Sequence, residues 1–122
     1  MKISFLLSGL LLAIVSQAQS QLSIIPLPKV VKEKDGGFRP GNKMFILSKD
    51  ESLAPLVQHA GQLFMEAAGV KNISFTNTLK QGQKNVVSLS LDSLAVKHEE
   101  GYILDVTKAS ITLKAKTTRG IF

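Results

Sequence analysis

The sequence predicts an α+β fold, a mostly antiparallel sheet with helix packed on one face. Three observations point to it. Apolar residues alternate with period two at Ile73 and Phe75, at Val87, Leu89 and Leu91, at Tyr102, Leu104 and Val106, and at Ile111, Leu113 and Ala115, the pattern of half-buried strands. One stretch, residues 48–70, switches to three-and-four spacing, the pattern of an amphipathic helix. The order is strands, one helix, then strands, with no internal repeat, which suits a helix layered on a sheet.

The first 18 residues read as a secretory signal peptide. Lys2 supplies the positive start, residues 3–15 are apolar apart from Ser4, Ser8 and Gly9, and Ser16-Gln17-Ala18 places small residues at a cleavage site. The run is shorter than the roughly 20 apolar residues that a membrane span needs. No cysteine follows it, so no lipid anchor is expected, and the mature chain should begin at Gln19 in the periplasm or outside the cell. Residues 19–122 then suffice for one domain with a modest core. The whole chain has no cysteine, so packing alone must hold it, which suits a bacterial periplasmic protein. The formal charge is +6. Its lysines occur singly, at Lys29, Lys32, Lys43, Lys71, Lys84 and Lys97 among others, which predicts a solvated surface rather than a polyanion site. Export also argues against a nucleic-acid partner.

Taken in order, Pro26 and Pro28 force an extended lead-in. Asp35-Gly36 signals a hairpin pairing residues 30–34 with 37–39. After the turn at Pro40-Gly41-Asn42, residues 43–47 form a short apolar run expected to be a strand buried on both faces. In the helix Leu53, Leu56, Val57, Ala60, Leu63, Phe64 and Ala67 form the apolar stripe, opposite Gln58, His59, Gln62 and Glu66. Ser52 is the expected cap, which puts Pro55 in the first turn, where a missing N–H costs little. The rival capping box from Ser48 to Glu51 would push Pro55 into the helix interior. Gly69 should end the helix. Strands follow at residues 72–76 and 85–91, then an irregular 92–100, then two strands from Gly101 onward. Leu63, Phe64, Leu89, Leu104 and Leu113 are the expected core.

Few residues invite a chemical role. Asp50-Glu51 is an adjacent carboxylate pair, but it precedes a helix, where the positive dipole end favours carboxylates. His98-Glu99-Glu100 does not chelate as one face, because neighbours in extended chain point to opposite sides. His59 lies on the polar side of the helix, without a metal-ligand spacing. The chain has no Trp and a single Tyr, so an aromatic sugar platform is not expected. Phe38, Phe45, Phe64 and Phe75 all occupy core-compatible positions. No catalytic, cofactor-binding or metal residue is assigned, and no cofactor.

Two ends of the chain carry a resemblance. Ile24-Ile25-Pro26-Leu27-Pro28-Lys29 near the start, and Gly101-Tyr102 through Ile111-x-Leu113-x-Ala115 to Gly120-Ile121-Phe122 at the end, resemble the N-terminal, non-catalytic domain of bacterial β-N-acetylhexosaminidases, family 20 of the glycoside hydrolases. The resemblance runs in matching order over residues 24–122. It implies an accessory domain preceding a catalytic (β/α)8 barrel, which would begin after the Gly-Ile-Phe. Such an enzyme removes terminal N-acetylglucosamine or N-acetylgalactosamine with retention, the substrate's own acetamido oxygen acting as nucleophile. Its adjacent Asp-Glu pair lies in the barrel, so Asp50 and Glu51 are not that pair. The resemblance further implies that residues 1–122 contribute no catalytic residue, that this segment is structural, and that its partner is the barrel of the same parent chain. The stop on Ile121-Phe122 reads as a truncation that leaves an apolar edge. Two alternatives stand beside it: the accessory domain of another glycosidase, acting on O-linked N-acetylglucosamine or α-glucuronides, and a stand-alone periplasmic binding module.

Overall fold

A computed structural model describes residues 28–122. The signal-peptide reading of residues 1–18 and most of the Ile24-to-Lys29 motif lie outside the described residues. The chain divides into two units, Met1–Glu33 and Lys34–Phe122. The described residues of the first unit carry no helix or strand.

The second unit holds five strands and two helices: β1 Lys43–Leu47, α1 Ala54–Ala68, β2 Asn72–Thr76, β3 Val86–Leu91, β4 Tyr102–Val106, β5 Ser110–Ala115 and α2 Thr118–Ile121. The α+β class is the one the sequence predicts. The sheet order is β2-β1-β3-β5-β4. It is a mixed sheet rather than a mostly antiparallel one. β1 runs parallel to β2 and to β3, β3 runs parallel to β5, and β4 alone is antiparallel, against β5. The reason lies in the connections. Parallel neighbours need long crossovers, and α1 carries the chain from β1 to β2, while residues 77–85 return it past β1 to β3. Only Thr107 to Ala109 is short enough for a hairpin, and there Thr107 N–H donates to the Ser110 carbonyl at 2.8 Å.

α1 forms where three-and-four spacing predicts it, but its start differs. A 3-10 turn, Glu51–Leu53, precedes it, and no side chain caps either element. Ser52 is therefore not the cap. Ser48 Oγ instead accepts the Asp50 N–H at 3.2 Å, and Pro55 sits in the first turn as expected. Gly69 closes the helix at φ 66, the left-handed conformation that glycine adopts without a Cβ penalty.

The core lies between α1 and one sheet face: Met44, Ile46, Leu53, Val57, Val70, Val87 and Leu89, with Phe64 and Leu113 packed against it. Met44, Ile46 and Leu53 are fully enclosed, each worth about 1.5–3 kcal/mol of burial. β1 sits between two parallel partners, so Phe45 and Leu47 on its other face are half-buried too. The helix approaches closely because Gly61 has no side chain: a Cβ there would stand 3.0 Å from the Phe75 ring.

Several expected positions differ. Leu104 and Leu63 are not core, being 40% and 49% exposed, and Phe75 is 45% exposed. Leu104 lies on edge strand β4, beyond the reach of the single long helix; Leu63 leans off the side of the buried stripe; Phe75 lies on the other edge strand. The hairpin of residues 30–34 with 37–39 is absent, as residues 28–42 contain no strand. Instead Lys34 Nζ binds the Asp105 carboxylate at 2.6 Å, and Gly36, at φ 87, lies against Lys108. β3 starts one residue later than expected because Asn85 takes a positive φ of 57.

Candidate functional site

Two concavities among the described residues differ in chemistry. The first, about 540 Å³, opens at the C-terminal ends of β1 and β2, over the start of α1. Ser48, Lys49, Glu51, Gln58, Thr76 and Asn77 give it a polar wall. Open parallel sheets commonly bind ligands at this end. Asp50 also borders it, yet its carboxylate is occupied: Oδ2 accepts the Leu91 N–H at 3.1 Å. Asp50 therefore ties the exit of β1 to the end of β3. Glu51 is exposed in the 3-10 turn, where its charge complements the helix start.

The second concavity, about 210 Å³, is apolar. Leu56, Ala60 and Leu63 of α1 face Leu89 and Leu113 of the sheet, and Ile121 and Phe122 close one end. Phe122 is 93% exposed. Leu104 pairs with Leu113, and Val106 with Ile111, so these exposed β4 residues share the groove's sheet face. Leu104 and Val106 thus lie on that face outside the covered core.

The remaining sequence candidates separate. His59 borders the apolar groove, far along the chain from His98, which is exposed in the loop before β4. Glu99 binds Lys116 Nζ at 2.8 Å, and that hydrogen bond holds its carboxyl below the usual 4.5. Asp92 lies below its usual 3.8 because the Ala95 N–H donates to it, with Lys114 adding to the effect. Both carboxylates serve loop structure. Among the described residues no group of three or more His, Asp or Glu is placed to hold a metal ion.

The end motif has a structural meaning that spacing alone did not reveal. Gly101 and Gly120, the glycines that open and close it, touch: a Cβ on Gly120 would collide with the Gly101 carbonyl oxygen. Thr117 Oγ1 reinforces the contact by donating to the Glu99 carbonyl at 2.6 Å. The sequence model for glycosyl hydrolase family 20, domain 2, matches residues 21–122. The chain belongs to that family. It supplies the accessory domain of a family 20 hexosaminidase, a domain that normally shares its chain with a catalytic barrel. No curated protein matches the chain. Family 20 domain 2 is thus built here on a mixed sheet, with its motif glycines in mutual contact rather than in a binding site.

Proposed function

We propose that residues 19–122 are exported under the signal peptide of residues 1–18, and that the domain acts as a structural buttress for a β-N-acetylhexosaminidase barrel in a parent chain. That parent would release terminal N-acetylglucosamine or N-acetylgalactosamine by substrate-assisted, retaining hydrolysis. The domain itself supplies no catalytic group. The observation that carries the reading is exposed apolar surface beside a covered core: Leu63 of α1, which lines the apolar groove, and Leu104 on β4. Exposed apolar surface of this kind marks a packing partner, and the family supplies one in the barrel.

The test compares the parent chain with its Leu63→Glu and Leu104→Glu variants. Both should melt several degrees lower, while kcat per folded molecule and the cleaved linkage stay unchanged. An unchanged melting temperature would sink the buttress role. Export is tested separately, by sequencing the N-terminus of the secreted protein, where Gln19 is expected.

A further inference from the structure

The lysines that look scattered in the sequence are not scattered in the fold. Lys71, Lys43, Lys84 and Lys108 each stand at or within two residues of the start of a strand, and those strands are β2, β1, β3 and β5, four parallel neighbours in that order. A parallel sheet brings all its strand starts to one edge. Backbone bonds hold these starts together: Lys71 N–H and Asn72 N–H both donate to the Asn42 carbonyl, and Asn85 N–H donates to the Ala109 carbonyl. Phe45 pairs with Val86 and Val86 with Ser110, so Lys43, Lys84 and Lys108 lie at the same end of the sheet. With strands about 4.8 Å apart, four lysines spring from one short rim, the Lys43 ammonium lying 5.3 Å from the centroid of the Phe45 ring.

All four lysines are exposed. None takes part in an ion pair among the described residues, where the pairs are Lys34–Asp105, Lys114–Asp92 and Lys116–Glu99. Three carboxylates lie towards the same end: Asp105, which Lys34 binds, and Asp35 and Glu66, neither of which pairs with the row. Asp50, Glu51, Asp92, Glu99 and Glu100 gather at the opposite end, after β1 and β3 and before β4. Lys49, Lys97, Lys116 and Arg119 stand among those carboxylates, so that end is of mixed sign. Like charges side by side in a sheet are unfavourable, and a bound polyanion would relieve that repulsion.

We propose that this rim docks an anionic polysaccharide, one bearing carboxylate or sulfate groups. An asparagine adjoins three of the four lysines, as Asn42-Lys43, Lys71-Asn72 and Lys84-Asn85. Cations beside amides match acidic groups beside hydroxyls, the alternation of an acidic glycan, better than the continuous charge of a lipid surface. The choice of a glycan rests on the hexosaminidase reading; the basic rim does not.

The full chain is titrated with chondroitin sulfate at low and at physiological salt, beside Lys43→Gln/Lys84→Gln and the control Lys80→Gln/Lys97→Gln, which removes the same charge elsewhere. The rim variant should bind about tenfold more weakly and the control within about twofold of the parent, with affinity falling as salt rises. The rim variant should also melt no lower than the parent. Absence of binding, equal loss in both variants, or a rim variant that melts lower would overturn the proposal. Tighter binding to phosphatidylglycerol vesicles or to single-stranded DNA would also overturn it, while leaving the hexosaminidase reading intact.

Discussion

Gly120 packs against the Gly101 carbonyl more closely than any side chain would permit, and the Ala115 methyl closes the other side at 2.9 Å from where a Cβ would stand. The contact binds the start of β4 to α2. It explains why a helix of one turn holds its place: with no capping side chain, its position comes from what it touches.

Gly120→Ala should therefore cost about 1–3 kcal/mol, as overpacking against backbone does. Gly101→Ala would meet its nearest atoms, on the Val96 and His98 side chains and the His98 carbonyl, at 3.0–3.2 Å and should cost less. Thermal melts of the two variants check the order. Equal melting of Gly120→Ala and the parent would contradict the contact.

Asp50→Ala removes the acceptor of the Leu91 N–H. A part-buried amide left without its partner costs about 1–3 kcal/mol. Asp50→Asn keeps a carbonyl oxygen in place and should lose less. Urea denaturation distinguishes them, and a purely surface role for Asp50 would leave both midpoints unchanged.

Ile46→Ala opens a cavity in a site with no solvent exposure and should cost about 2–5 kcal/mol. Leu104→Ala, on the exposed edge strand, should cost under about 1 kcal/mol in this chain. The same substitution in a parent chain, where Leu104 would be covered, should cost more. Denaturation of both proteins measures that difference.

Stability should fall in acid. Asp92 and Glu99 titrate below their ordinary 3.8 and 4.5 in the fold, so the native state favours their ionised forms. Their contribution is complete above those ordinary values and is lost as pH falls through the lowered ones. Melting curves from about pH 6 to about pH 3 should show the decline beginning near or below 4.5. The loss should be small, because both ion pairs are solvent-screened, and Lys116→Gln should remove the Glu99 share. A flat profile would contradict it.

Local pattern made most elements legible. β1, β2, β5 and the body of α1 follow from periodicity, and Gly69 follows from helix-ending chemistry. Pairing was not legible, because period two reports which residues share a face and not which strand lies alongside. Only the short link of Thr107 to Ala109 carries pairing information in its length, and only that pair is antiparallel. Leu63 and Leu104 show the related difficulty: an apolar side chain reads as core whether its cover comes from this domain or from a neighbour. The bond from Asp50 to Leu91, 41 positions away, had no local signal. The lysine rim was hidden for the same reason, since single lysines become a row only once strand order is known.

The place of β5 in the sheet bears on how the domain comes to be folded. It is the last strand of the five, yet it lies inside, joining β3 to β4. A chain emerging from its N-terminus can assemble β1, α1, β2 and β3, but β4 has no partner until Ser110–Ala115 appears. Closure is thus a late and non-local event, and contacts so distant in sequence form slowly. Until then β3 keeps one of its two edges unpaired.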